Sequence, residues 1–169
     1  ISGLTEMDTV RFSGQRVSGE IQPLAAMLGP VEFTLLDRRT ISPLAVAPWS
    51  EDQGPAHDGL PGVLKRLRGD WVCVPFGMTA VPQGLPDDWQ PKPEALPAGT
   101  DDAPHGYCSN HLWSLQSKGI GGVQADIEYP HHHPISHIRR IVEARTGDTA
   151  VDINLIVHPR RDITLPIGL

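Results

Sequence analysis

Two runs of strict alternation constrain this chain most. Val123, Ala125, Ile127 and Tyr129 alternate with Gln124, Asp126 and Glu128, while Val151, Ile153, Leu155 and Val157 alternate with Asp152 and Asn154. Successive side chains of a strand point to opposite faces, so each run puts an apolar row on one side and a polar row on the other. A helix of that spacing would have no coherent face. Shorter runs at 9–13, 17–22, 32–36, 71–74, 113–117 and 138–144 also read as strands. The 17 Gly and 17 Pro residues punctuate them with turn signals. The one helix-like stretch is short, at 60–68, with Pro61 suited to a first turn. The pattern predicts an all-β fold, an antiparallel β-sandwich.

The 169 residues suffice for a single domain with a real core, spanning 1–169. A hydrophobic share of 39% with 20% charged residues is that of a globular chain rather than a disordered one. The net charge of −6 argues against a nucleic-acid partner, which calls for a basic face. No apolar run approaches the roughly 18 residues of a membrane span, and no secretory leader pattern opens the sequence. The expectation is a cytoplasmic protein without a membrane partner. One segment differs from the rest. Residues 83–104 are rich in Pro and acidic residues around Trp89 and read as a long irregular loop.

Several residue groups invite a chemical reading. His131, His132 and His133 lie between Pro130 and Pro134. Neighbours on a strand face opposite ways, so three in a row converge on a metal only if the backbone turns, with His137 as a fourth ligand. They read as an exposed hairpin loop, and neither a metal nor another cofactor is expected. Cys73 and Cys108, each in an apolar stretch, read as reduced core thiols. The pairs Arg139-Arg140 and Arg160-Arg161 read as solvated surface. Trp49, Trp71, Trp89 and Trp113 are candidates for stacking on a ligand's apolar face, with Trp71 and Trp113 favoured as core.

The stretch His105-Gly106-Tyr107-Cys108-Ser109-Asn110-His111-Leu112-Trp113 resembles the His-Gly-Phe-Ala-Arg-x-x-x-Trp motif of the galactose mutarotase-like, or aldose 1-epimerase, family, which includes hexose-6-phosphate epimerases. Arg68-Gly69-Asp70-Trp71-Val72-Cys73-Val74-Pro75-Phe76-Gly77 is similar to that family's Arg-Gly-Gly-Ile-Pro-x-x-x-Pro-x-Phe-Gly motif, one or two residues shorter. The segment from Ile41 to Trp49 looks like the one that crosses under the sugar site. The segment from Asp162 to Leu169 resembles the strand leading into the family's catalytic His-Pro. The resemblance implies the family's large β-supersandwich, with this chain as its N-terminal portion.

It also implies an activity. Aldose 1-epimerisation needs one group to take the proton of the anomeric hydroxyl and another to protonate the ring oxygen. The ring opens, the C1–C2 bond turns, and closure on the other face inverts the anomeric centre. A histidine suits such proton transfer near neutral pH. His105 is the implied catalytic or pocket residue, and Asn110, Phe76 and Arg68 are the implied substrate-binding residues. The family's general-acid His and general-base carboxylate are expected beyond Leu169. A non-catalytic sugar-binding relative is the alternative, and a purely structural β-domain a third. The family's phosphate-holding Arg falls at Ser109, so a neutral aldose is the expected ligand rather than a sugar phosphate. The oligomeric state is not readable.

Overall fold

The computed structural model describes residues 9–60, 62–77, 84, 86 and 103–169. The expected loop at 83–104, with Trp89, lies outside them except for Gly84, Pro86, Ala103 and Pro104, as does Pro61. Two four-stranded antiparallel sheets make up the fold. The first has the order β1 (Val10–Ser13), β2 (Val17–Ile21), β3 (Leu28–Thr34), β4 (Thr40–Ile41). The second has the order β5 (Ser114–Ser117), β6 (Gly122–Glu128), β7 (Ile135–Ala144), β8 (Val151–Pro159). Each sheet is a meander of neighbours in sequence. Among the described residues, three one-turn helices, α1 (Pro55–Asp58), α2 (Gly62–Lys65) and α3 (Tyr107–Asn110), sit in the long connection between the sheets.

The sheets face each other, with β1 packed against β5, β6 and β7. The alternation predicted for β6 is realised as burial: Val123, Ala125 and Ile127 are in the core, while Gln124 and Asp126 are only partly covered and Glu128 is exposed. Phe12, Ile21 and Val31 meet them from the first sheet, and Ile138 and Val142 from β7. Trp113 closes one edge of this core, 2% exposed, with its indole N–H donating to the Cys108 carbonyl at 2.8 Å. The all-β antiparallel expectation therefore holds.

Four local expectations are corrected. The strand placed at 32–36 begins earlier, at Leu28, and runs through Pro30. The run at 71–74 is not a strand. Cys73 makes an isolated bridge to Gly168, and the Val72 and Val74 carbonyls instead accept from Ser109 and Tyr129 side chains. Arg140 is not at the surface. It is fully buried, donating to the Asp70 carboxylate at 2.6 Å and the Ala26 carbonyl at 2.7 Å. His131 and His132 are exposed as a turn requires, but His133 is buried, and its Nδ1 accepts the Ile135 N–H at 3.0 Å.

Both cysteines are free and buried, as expected. The Cys108 thiol donates to the Val72 carbonyl and its sulfur accepts the Val74 N–H, both at 3.2 Å. Burial pushes its pKa up to about 11, and the Cys73 thiol is raised for the same first reason.

Candidate functional site

The His105 motif forms a tight turn into α3. His105 has φ 67° and Gly106 φ 79°, so the backbone passes through the left-handed region twice in succession. Glycine is required at the second position. A Cβ on Gly106 would lie 2.6 Å from the Val74 carbonyl oxygen and 2.7 Å from the Pro75 ring. The turn is held from several sides. The His105 N–H donates to the Gly77 carbonyl at 2.7 Å, and the Asn110 amide donates at 2.9 Å to the carbonyls of both Pro104 and Gly106. The Ser109 hydroxyl, fully buried, sits 2.7 Å from the carbonyl oxygens of Val72 and His105. The turn is thereby fastened onto the 72–74 segment, which Cys108 and Tyr129 also grip.

The imidazole of His105 has two aromatic neighbours. Trp71 meets it nearly edge-on, with ring centroids 6.3 Å apart, and Phe76 lies 5.6 Å away at a tilt of 44°. Phe76 is 53% exposed, while its backbone N–H donates to the Pro166 carbonyl at 2.8 Å. Its ring rests against Gly168, where a Cβ would come within 2.4 Å. The Nδ1 of His105 and the Nε1 of Trp71 are buried without a hydrogen-bond partner.

Arg68 is elsewhere. It is 3% exposed, and its guanidinium is fully engaged: Nε donates to the Arg66 carbonyl at 3.2 Å, Nη1 to Glu20 at 3.3 Å, and Nη2 to Glu51. The Gln22 amide, turned with its oxygen inward, accepts from Nη1 at 2.8 Å and Nη2 at 3.0 Å. Gly69 beside it packs so tightly that a Cβ would lie 1.7 Å from the Leu28 carbonyl oxygen. An open cleft of about 410 Å³ adjoins this cluster, with Gln22, Glu51, His57 and Arg66 among its lining residues. A larger one of about 530 Å³ lies between the hairpin turns at Leu36 and Asp148 and holds none of the motif residues.

The structure thus brings His105 and Phe76 together and sets Asn110 in the same turn, where its amide closes the backbone. It places Arg68 in a separate ion-pair cluster. Sequence reasoning did not find that cluster, because Glu20, Gln22 and Glu51 come from distant positions with no local signal. It weighed Trp71 as core or stacking ring, and the structure gives it both surroundings: Ala25, Met27 and Val63 on one side, His105 on the other. Trp49 is 40% exposed and donates to the Leu64 carbonyl at 2.9 Å. Among the described residues no group of three or more His, Cys, Asp or Glu is placed to hold a metal ion. No helix among them is long and apolar enough to cross a membrane.

No family model matches the chain, and no curated protein matches it either. A solved structure similar to it is that of "a putative mutarotase (YeaD)" from Salmonella typhimurium, with 17% identity and a TM-score of 0.49. The alignment covers 92% of this chain and 45% of that one, so the chain spans less than half the length of that structure.

Proposed function

We propose that this chain carries the site of an aldose 1-epimerase-like carbohydrate isomerase, with a neutral aldose as substrate. The observation that carries the reading is the His105 imidazole, set in the motif turn beside two aromatic rings with Nδ1 unpartnered. Aromatic faces suit the apolar C–H face of a sugar, and an unengaged ring nitrogen suits a group that must take and return a proton. In this reading His105 hydrogen-bonds the ring oxygen or a hydroxyl of the aldose and supports proton transfer as the ring opens and recloses. Phe76 and Asn110 shape the wall. Arg68 neutralises Glu20 and Glu51, so its charge is already matched. A sugar phosphate would have to displace a carboxylate to use it.

The second reading, a sugar-binding relative without turnover, is favoured by one feature. Among the described residues, the ring contacts of His105 are with Trp71 and Phe76.

Exchange spectroscopy of the α and β anomers of glucose and galactose tests both readings, alongside titrations with hexose and hexose 6-phosphate. The first expects aldose binding by residues 1–169 with no preference for the phosphate, little exchange above buffer from those residues alone, and faster exchange, impaired by His105→Ala, in a chain that also carries the general acid and base expected beyond Leu169. Binding without faster exchange in such a longer chain supports the second. Absence of both binding and exchange would overturn the two together.

A further inference from the structure

Among the described residues, three buried side-chain nitrogens lack a hydrogen-bond partner: Trp71 Nε1, His105 Nδ1 and Arg140 Nε. The last belongs to a guanidinium whose other nitrogens are bonded to Asp70 and Ala26. The first two lie on neighbouring rings with centroids 6.3 Å apart at 78°. Buried polar atoms are nearly always paired in native proteins, because an unmade bond costs the full desolvation of the group. Two orphans on adjacent rings therefore point to a shared partner.

Their chemistry narrows what that partner is. The indole N–H can only donate, and imidazole Nδ1 accepts when the proton is on Nε2. A hydroxyl accepts and donates through the same oxygen, so one such group can serve both a donor and an acceptor on neighbouring rings. A carboxylate or carbonyl would satisfy Trp71 alone, and an ammonium His105 alone. We propose that Trp71 is a specificity-determining residue. Its Nε1–H donates to a ligand hydroxyl, and the proton of that hydroxyl goes to His105 Nδ1, so the pair selects polyols. The inference rests on the aldose reading above and adds a residue to it.

Both nitrogens are closed to solvent in this structure. Phe76, its ring 5.6 Å from the imidazole and more than half exposed, is in this proposal the side chain that moves aside to admit the ligand. Closed, the site holds a desolvated donor with nothing to bond. The ligand relieves that cost, which makes the same N–H a burden on folding and a source of affinity.

Trp71→Phe keeps a ring and removes the N–H. The expected result is a higher Tm for the free protein together with glucose and galactose binding weakened about tenfold, both followed by ligand-observed NMR and thermal unfolding. A Tm that falls along with affinity would assign the indole to packing and overturn the inference. Unchanged affinity would overturn it while leaving the aldose reading intact, and a wild-type protein that binds neither sugar would remove both. If Trp71→Phe does not fold, the assigned Trp71 indole proton of the wild-type protein decides. It should move downfield on addition of glucose, and a stationary resonance would refute the proposal.

Discussion

Gly106 governs the site more than any side chain in it. Its φ of 79° and the 2.6 Å approach of the Val74 carbonyl leave no room for a Cβ. Gly106→Ala is expected to cost more than about 2 kcal/mol, from the left-handed backbone and the clash together. It should also loosen His105 from its aromatic neighbours. Urea unfolding measures the first effect. At this scale the motif made His105 and Gly106 legible in the sequence. It did not make the roles of their neighbours legible. The Ser109 hydroxyl is spent on backbone carbonyls inside the core, so its place in the motif says little about a ligand. Arg68, the other motif cation, is already paired, with partners Glu20 and Glu51 that are 48 and 17 residues away in sequence. An orphaned nitrogen such as that of Trp71 is a property of three-dimensional surroundings, and no spacing encodes it.

Among the elements, β6 and β8 were readable because one face of each meets a core and the other does not, which is the condition that writes alternation into a sequence. The β3 start was hidden by Pro30, which ordinarily argues against a strand interior. Residues 71–74 resembled a strand because Val and Cys favour extended backbone. In the fold the Val72 and Val74 carbonyls accept from side chains of α3 and of the β6–β7 connection, and Cys73 makes an isolated backbone bridge to Gly168 rather than a ladder. Arg140 was misread because the patterning of β7 gives two successive arginines, and only one can face solvent. Arg139 pairs with Asp126 at 2.7 Å on the outer face, and Arg140 pairs with Asp70 on the inner one. The two pairs differ in weight. Asp70→Asn leaves a fully buried guanidinium without its countercharge, and the expected loss is about 2–3 kcal/mol. That is at the low end for such pairs because the Asp70 side chain keeps 23% exposure. Asp126→Asn, beside an Arg139 side chain 42% exposed, is expected to cost under about 1 kcal/mol. Chemical denaturation of the two variants side by side checks the contrast.

Across the whole molecule, neither four-stranded meander contributes His105, Trp71 or Phe76. All three belong to the connection that runs from β4 to β5. That connection is tied to the first sheet through Leu24↔Leu112 and Leu28↔Asp70, and to the segment after β8 through Cys73↔Gly168. Its position along the chain and its position in space thus impose an order of events. Each meander closes contacts between sequence neighbours, which form early, whereas the ties of the connection join residues far apart and wait on loop closure. On refolding from urea, the strand signal in far-UV circular dichroism is expected to recover before the capacity to bind an aldose, and stopped-flow traces of the two should be offset in time. A ligand-binding signal that rises with the strand signal would mean that the connection folds with the sheets. The surface proposed to recognise an aldose is, in this sense, a readout of completed assembly. A molecule with both sheets formed and the crossover undocked would look folded by its backbone and be blind to its ligand.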